Sequence, residues 1–379
     1  MFSRLLKAPL KTKKSFFLFG PRGTGKTYWV KTQFPTALYL DLLETSLYID
    51  LLANPQKLEQ LIPKGYTEWI IIDEVQKIPA LLNEVHRLIE KYGYSFILTG
   101  SSARSLRKKG VNLLAGRALT FHLYPLTFQE LGDAFNLERV LNYGTLPAIF
   151  SEEEVSLYLR SYVTTYLKEE ILQEGLTRSL SAFTRFLEIA SFSQGQLVNM
   201  SEIARQSAIS RKMVESYFEI LEDLLLAYTL PVFTKRATRQ LTAHPKFYFF
   251  DTGVFRSIRP KGPFDRTEEI DGAALETFFL QEIKALNDYL GLEYDLFYWR
   301  TASQMEVDFV LYGPRGIIAF EIKRSRSISK KDCNGLIAFG KDYPEAKLFI
   351  LYGGKRREYF DNIQAIPFEE ALPQLPTLL

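Results

Sequence analysis

The octapeptide Gly20-Pro21-Arg22-Gly23-Thr24-Gly25-Lys26-Thr27 constrains this 379-residue chain more than any other feature. It satisfies G-x-x-x-x-G-K-[ST] at every defined position, follows the apolar run Ser15–Phe19 directly and precedes a segment with helical character. A strand, loop and helix in that order turn backbone N–H groups inward to ring a phosphate, and the helix N-terminus adds positive potential. Gly20 through Thr27 are thus the expected phosphate cradle. Lys26 is expected to reach the β- and γ-phosphates, and the Thr27 hydroxyl to ligate Mg2+.

The residues that follow support this reading. Trp69-Ile70-Ile71-Ile72-Asp73-Glu74 is an apolar strand ending in two acids, 47 residues beyond Lys26. Asp73, on a strand next to the phosphate loop, is expected to hold the magnesium ion through water. Glu74 is expected to polarise an attacking water as general base, which favours water over a second substrate as acceptor. Acids also end strands simply because loops are polar; here the phosphate loop gives the pair its meaning. Phe96–Thr99 reads as a third strand, running into Gly100-Ser101-Ser102. Thr99 or Ser101 is placed to sense the γ-phosphate, or equally to cap the next helix. Further on, Arg117 is a candidate finger on a neighbouring subunit's nucleotide, with Arg104 its competitor; either implies a ring or another homo-oligomer.

The first third alternates apolar strands (Ser15–Phe19, Ala37–Leu40, Trp69–Ile72, Phe96–Thr99) with helical patterns such as Ala80–Tyr92, which predicts an α/β domain built on a parallel sheet. Composition agrees with a globular chain: 46% hydrophobic and 24% charged residues exclude disordered, collagen-like and disulfide-scaffold classes. No apolar stretch approaches the ~18 residues of a membrane span. The N-terminal Met1–Lys14 lacks a secretory pattern. The one cysteine, Cys333, excludes an intrachain disulfide and a cysteine-based zinc site, and suits a reducing cytoplasm. A net charge of +3 argues against a polyanionic partner for the chain as a whole. Basic residues do cluster locally, at Arg107-Lys108-Lys109, at Lys235 to Lys246 and at Lys323 to Lys331, where solvated loops are the plain alternative.

From Ser151, with Glu152–Glu154 in the expected first turn, the pattern becomes helical to about Tyr228. Ser201–Gln206, the turn Ser207–Ser210 and Arg211–Leu226 have the outline of a helix-turn-helix, with Ala208 where glycine is common and Ser210, Arg211 and Lys212 leading the second helix. Strands Thr229–Thr234 and Lys246–Phe250 would form a wing. DNA contact is the functional reading of this unit, and packing or dimerisation the other. Pro260–Gly272 reads as a linker. A helix (Ala273–Leu290) and strands Tyr294–Trp299, Glu306–Leu311, Ile317–Ile322 and Leu348–Leu351 follow. The expected domains are therefore 1–135, 150–260 and 270–379.

Taken together, the phosphate loop, Ile70-Ile71-Ile72-Asp73-Glu74-Val75-Gln76, Thr99–Arg104 and Leu113–Leu131 resemble the large bacterial and archaeal family of AAA-superfamily ATPases that carry a C-terminal domain of unknown function. The resemblance extends through Phe249–Phe255, Leu275–Ile283, Glu306–Leu311 and Glu321–Lys323, nearly the whole chain. It implies an AAA-type P-loop ATPase binding ATP and Mg2+, then a winged-helix-like segment, then a small α/β domain of restriction-endonuclease type. In the last of these, E-x-K spacing puts Glu321 and Lys323 on one face of a strand with Ile322 on the other. A hairpin through Tyr312–Gly316 would let Asp308 and Glu321 face one divalent ion, Mg2+ or Mn2+. Lys323 would then orient the attacking water, Glu276 would support the site from its helix, and Glu306 is a further acid on the same face. Glu276, Asp308, Glu321 and Lys323 resemble the signature of the PD-(D/E)xK nuclease superfamily. The expectation is ATP hydrolysis coupled to DNA binding or processing with a metal-dependent nuclease site, or else an ATP-controlled switch whose nuclease-like domain is silent and grips nucleic acid or a protein partner.

Overall fold

The computed structural model describes residues 2–9, 12–104, 106, 114, 116–167, 179–235, 244–262 and 266–379. The basic residues Arg107, Lys108, Lys109, Arg236 and Arg239 lie outside them. The contacts divide the chain into two compact units: Met1–Leu126 with Leu146–Ala148 and Asp223–Leu226, and Thr127–Thr145, Ile149–Glu222 and Ala227–Leu379.

The first unit is built on five parallel strands, β1 (Ser15–Phe19), β2 (Leu38–Asp41), β3 (Ile70–Asp73), β4 (Phe96–Gly100) and β5 (Ala118–His122), in the order β2-β3-β4-β1-β5. Strands β1, β3 and β4 are buried along their length. A parallel sheet covered on both faces asks for such continuous apolar runs, and Ser-Phe-Phe-Leu-Phe and Ile-Ile-Ile supply them. Helix α1 (Lys26–Gln33) follows the phosphate loop. Helix α2 (Leu81–Tyr92) turns Leu81, Leu82, Val85 and Leu88 into the core and stops at Gly93, whose φ of 70° provides the left-handed cap. Strand β3 is not the neighbour of β1, because β4 lies between them. Asp73 thus ends a strand two places from the one that leads into the phosphate loop. The edge strand β5, with four partly buried residues and an exposed Thr120, gave no clear period in the sequence.

In the second unit, helices α3 (Leu180–Ser191), α4 (Met200–Ser207) and α5 (Arg211–Asp223, all but its last residue) precede an antiparallel pair, β6 (Ala227–Leu230) with β7 (Lys246–Phe249). Ala208 closes α4 at φ 55°, so the turn takes the left-handed conformation without a glycine. The helix-turn-helix spacing turns Ile203, Ala204, Ile209, Val214 and Tyr217 inward; Ile203, Val214 and Tyr217 are buried, and Ala204 and Ile209 only partly so. The helix expected from Ser151 begins instead at Val155; Ser151–Glu154 are exposed, and the buried periodic positions start with Val155 and Leu159. Helix α6 (Thr252–Ile258) is capped by the Asp251 side chain. The expected linker is partly helical, since α7 runs Thr267–Leu290 with Glu268 and Glu269 in its first turn. A six-stranded mixed sheet completes the unit: β8 (Asp295–Arg300), β9 (Glu306–Gly313), β10 (Gly316–Lys323), β11 (Lys347–Tyr352), β12 (Glu358–Phe360) and β13 (Ile363–Pro367), ordered β12-β13-β11-β10-β9-β8. Helix α8 (Asn334–Asp342) packs on it through Leu336 and Phe339.

Candidate functional site

Among the described residues, each unit carries a cluster of chemically capable side chains. In the first, Gly25 adopts φ 90° at the N-cap of α1, a conformation that opens the loop's N–H groups and that residues with a Cβ rarely take. Gly20 passes so close to the Leu123 carbonyl that a Cβ would collide with it. Thr24 is buried and donates to the Pro21 carbonyl at 2.9 Å. Lys26, itself buried, donates to the carbonyls of Gly20 (2.7 Å) and Pro21 (3.2 Å). Arg22 is exposed, and Gly23 turns through φ 85°.

Three hydroxyls converge on Asp73. Thr27 Oγ1 donates to its Oδ2 at 2.8 Å, Tyr39 OH donates to the same oxygen, and Thr99 Oγ1 donates to Oδ1. Burial, and then the Asp73 carboxylate, push the Tyr39 hydroxyl well above the ordinary tyrosine range, so it stays protonated and donates. Tyr39 is a residue that sequence reasoning missed. The one signal was a tyrosine in β2 whose register, Tyr39 with Ile71 and Asp41 with Asp73, sets it beside β3. A threonine hydroxyl and a carboxylate oxygen in contact form a hard oxygen pair that fits Mg2+.

Glu74 sits at φ 61°, ψ 42°, a left-handed conformation that costs a non-glycine residue on the order of 1 kcal/mol. Its carboxylate accepts the Gln76 amide, and its backbone N–H points at Thr99 Oγ1 (3.4 Å). Thr99 therefore contacts both acids' residues, while Ser101 Oγ lies 3.4 Å from Gln76 Nε2. A Cβ on Gly100 would collide with the Gln76 amide oxygen, so the two motifs interlock. Arg117 is partly buried and paired with Glu90 of α2; Arg104 is buried and paired with Asp223.

The second cluster lies on β7, α7, β9 and β10. The expected hairpin forms: β9 pairs antiparallel with β10 from Gly313–Gly316 to Phe309–Phe320, and Asp308 and Glu321 follow one step beyond. Ile322 N–H bonds the Asp308 side chain (Oδ2, 2.9 Å). Asp308 Oδ1 accepts from Lys246 Nζ at 3.0 Å, and the same ammonium pairs with Glu306, whose other oxygen meets Arg300 at 3.0 Å. Lys323 Nζ bonds Glu321 Oε1 at 2.6 Å, leaving Glu321 Oε2 buried without a hydrogen-bond partner. Glu276 accepts from Tyr248 OH at 2.8 Å. Among the described residues no group of three or more His, Cys, Asp or Glu side chains is disposed to hold a metal ion. Each of Glu276, Asp308 and Glu321 is engaged by a donor of the chain, respectively the Tyr248 hydroxyl, Lys246 with the Ile322 N–H, and Lys323.

Burial first, and then the neighbouring Asp308, push the Glu276 and Glu321 carboxyls well above the ordinary glutamate range. Burial works against the charge of Lys323, but Glu321 and Asp308 outweigh it and hold the ammonium above the ordinary lysine range. Lys246 was legible only as one member of a basic block. A lone charge at the head of the apolar run Lys246-Phe-Tyr-Phe-Phe was the signal of an inward-facing lysine.

Comparison with known proteins matches residues 12–132 to the family described as AAA domain, residues 134–264 to a domain of unknown function (DUF8612) and residues 271–371 to another (DUF4143). Residues 12–132 thus match an AAA-type, P-loop ATPase-like domain, a class that implies nucleotide binding. An uncharacterized protein of Mycobacterium tuberculosis is 28% identical over 97% of this chain and 83% of its own length. One from Haemophilus influenzae is 23% identical over 69% of this chain and 70% of its own. A solved structure of the Aeropyrum pernix ORC1 protein in complex with DNA covers 65% of this chain and 86% of its own, at 13% identity and a TM-score of 0.29. Among the described residues no helix is long and apolar enough to cross a membrane.

Proposed function

We propose that the first unit binds ATP with Mg2+ and hydrolyses it. The observation that carries this reading is the 2.8 Å contact between Thr27 Oγ1 and Asp73 Oδ2 at the mouth of the phosphate loop. It supports a magnesium site in which Thr27 ligates directly and Asp73 acts through water. Lys26 exchanges its two carbonyl contacts for phosphate oxygens, the loop's N–H groups hold the β-phosphate, and Glu74 takes a proton from the attacking water. Tyr39 and Thr99 fix the carboxylate of Asp73 from either side. Arg117, partly buried beside Glu90, is the finger residue of a homo-oligomer in this reading, and Arg104 is a structural tie. The test is nucleotide titration and phosphate release by the full chain. Lys26→Ala should lose both on the order of 10²–10³-fold. Normal affinity and turnover in that variant sink the assignment.

The work coupled to hydrolysis is, in this proposal, performed on DNA in the cytoplasm. Exposed Arg211 and Lys212 at the start of α5 support that partner, although Glu215 and Glu219 follow them on the same helix. Stimulation of turnover by duplex, single-stranded or branched DNA, weakening with salt, is the expected result. For the second unit, Glu321 and Lys323 on one strand face support a metal-dependent nuclease using Mg2+ or Mn2+. The buried Lys246 favours the other reading, a catalytically silent module that binds nucleic acid or a protein partner. Cleavage of any DNA by the wild type with Mg2+ or Mn2+ decides for the nuclease.

A further inference from the structure

The acid cluster of the second unit is neutralised from an unexpected direction. Lys246 belongs to the segment before α7, yet its ammonium lies among acids of the sheet that follows α7. It is only 2% exposed. Its position is set by neighbours on both sides of its backbone: Leu230 of β6 pairs with it, and Leu197 bridges it from the segment before α4. The side chain then reaches Asp308 Oδ1 at 3.0 Å and Glu306, with the Tyr298 ring centroid 5.9 Å away. Asp308 is left with its second oxygen on the Ile322 N–H. The same segment also closes the cluster over Glu276: Tyr248 donates to it, and a Cβ on Gly195 would stand 3.2 Å from its Oε2.

A divalent ion held by Asp308 would need the volume and the lone pairs that the ammonium takes, and would sit close to a fixed positive charge. We infer that Lys246 is the resident cation of this centre, occupying the place of a metal ion, so that the wild-type cluster holds no divalent metal and substitution of Lys246 creates a site for one. The inference rests on the silent reading of the second unit and gives it a cause. The strand carrying Lys246 supplies the counter-ion without which the buried Asp308 would lie beside the partly buried Glu306 with like charge.

The experiment is Mn2+ titration of the nucleotide-free full chain by electron paramagnetic resonance. Four proteins are compared: wild type, Asp308→Asn, Lys246→Met and the Lys246→Met/Asp308→Asn double variant. Wild type and Asp308→Asn should bind Mn2+ alike. Lys246→Met should gain one site, at least tenfold tighter than any Asp308-dependent binding in the wild type, and the double variant should lose it. Asp308-dependent Mn2+ binding in the wild type overturns the inference, as does a folded Lys246→Met without the new site. Should Lys246→Met melt without cooperativity, millimolar Mn2+ must restore a cooperative transition, and failure to do so overturns it equally. DNA cleavage is scored separately on the wild type. Metal-dependent cleavage refutes the silent reading itself, whereas Asp308-dependent Mn2+ binding without cleavage refutes only the role of Lys246.

Discussion

Lys26 and Lys246 are both buried lysines, and their contacts set the two clusters apart. Lys26 donates to two backbone carbonyls of its own loop. Lys246 donates to carboxylates. A carbonyl carries a partial charge, so a phosphate oxygen displaces it readily. A buried carboxylate carries a full charge, and separating it from an ammonium leaves both uncompensated. The first lysine is therefore poised to change partners, and the second is committed to the ones it has. One arrangement suits a site that binds and releases an anion each cycle; the other suits a core.

The sharpest contrast comes from removing one carboxylate from each cluster. Glu74→Gln keeps the shape and loses the basicity, so ATP should still bind while phosphate release falls on the order of 10³-fold, and thermal stability should not change. Retained nucleotide, measured after rapid gel filtration, distinguishes this from a binding defect. Turnover at the wild-type rate would remove Glu74 from the role of base.

Asp308→Asn should show the reverse signature. It removes one of the two carboxylates that the buried Lys246 pairs with, at an expected cost of about 3 kcal/mol to the stability of the second unit. ATP turnover without DNA should stay at the wild-type level. A variant as stable as the wild type in calorimetry would mean that the Lys246–Asp308 contact contributes nothing net, and the contrast between the two lysines would fail.

Tyr39→Phe probes a smaller effect within the first cluster. It removes one charge-assisted hydrogen bond to Asp73 while Thr27 and Thr99 remain, a loss of about 1–2 kcal/mol. The expected outcome is a roughly tenfold higher Mg2+ concentration for half-maximal turnover, with kcat at saturating Mg2+ nearly unchanged. An unaltered Mg2+ dependence would leave Tyr39 as packing only.

How far the sequence carried this picture depended on whether the chemistry was local. The phosphate loop is contiguous in sequence, so its strand, its glycine turns and its helix were all readable before any coordinates. The β9–β10 hairpin was readable for the same reason: its two strands are separated by a short turn that fixes register. What the sequence hid was long-range. Tyr39 meets Asp73 across 34 positions and Lys246 meets Asp308 across 62. Neither partner choice has a local period. The position of β4 between β1 and β3 is likewise a property of strand order, which alternation of apolar runs cannot specify. Ser151 misled because a good cap composition preceded the first buried helical position by four residues.

The smallest expected effect for each step of the measurement concerns a buried acid that belongs to neither cluster and so tests whether burial shapes titration here. Glu282 of α7 is 1% exposed and accepts the Phe128 N–H at 2.7 Å. Burial pushes its carboxyl up to about 8; the Phe128 N–H opposes the shift and the nearby Glu130 adds to it. In the unfolded chain a glutamate titrates near its ordinary value of about 4.3. Between these values the folded state holds a proton that the unfolded state has released, so stability falls as pH rises and the contribution is lost above about 8. Glu282→Gln keeps an oxygen for the Phe128 N–H and removes the titration. Every other buried acid is common to the two chains and cancels in their difference. Urea unfolding at pH 5, 6, 7 and 8 should therefore show the wild type losing about 1 kcal/mol per pH unit relative to the variant. A difference that does not change with pH would mean that Glu282 is ionised in the folded chain, held so by the Phe128 N–H in spite of its burial.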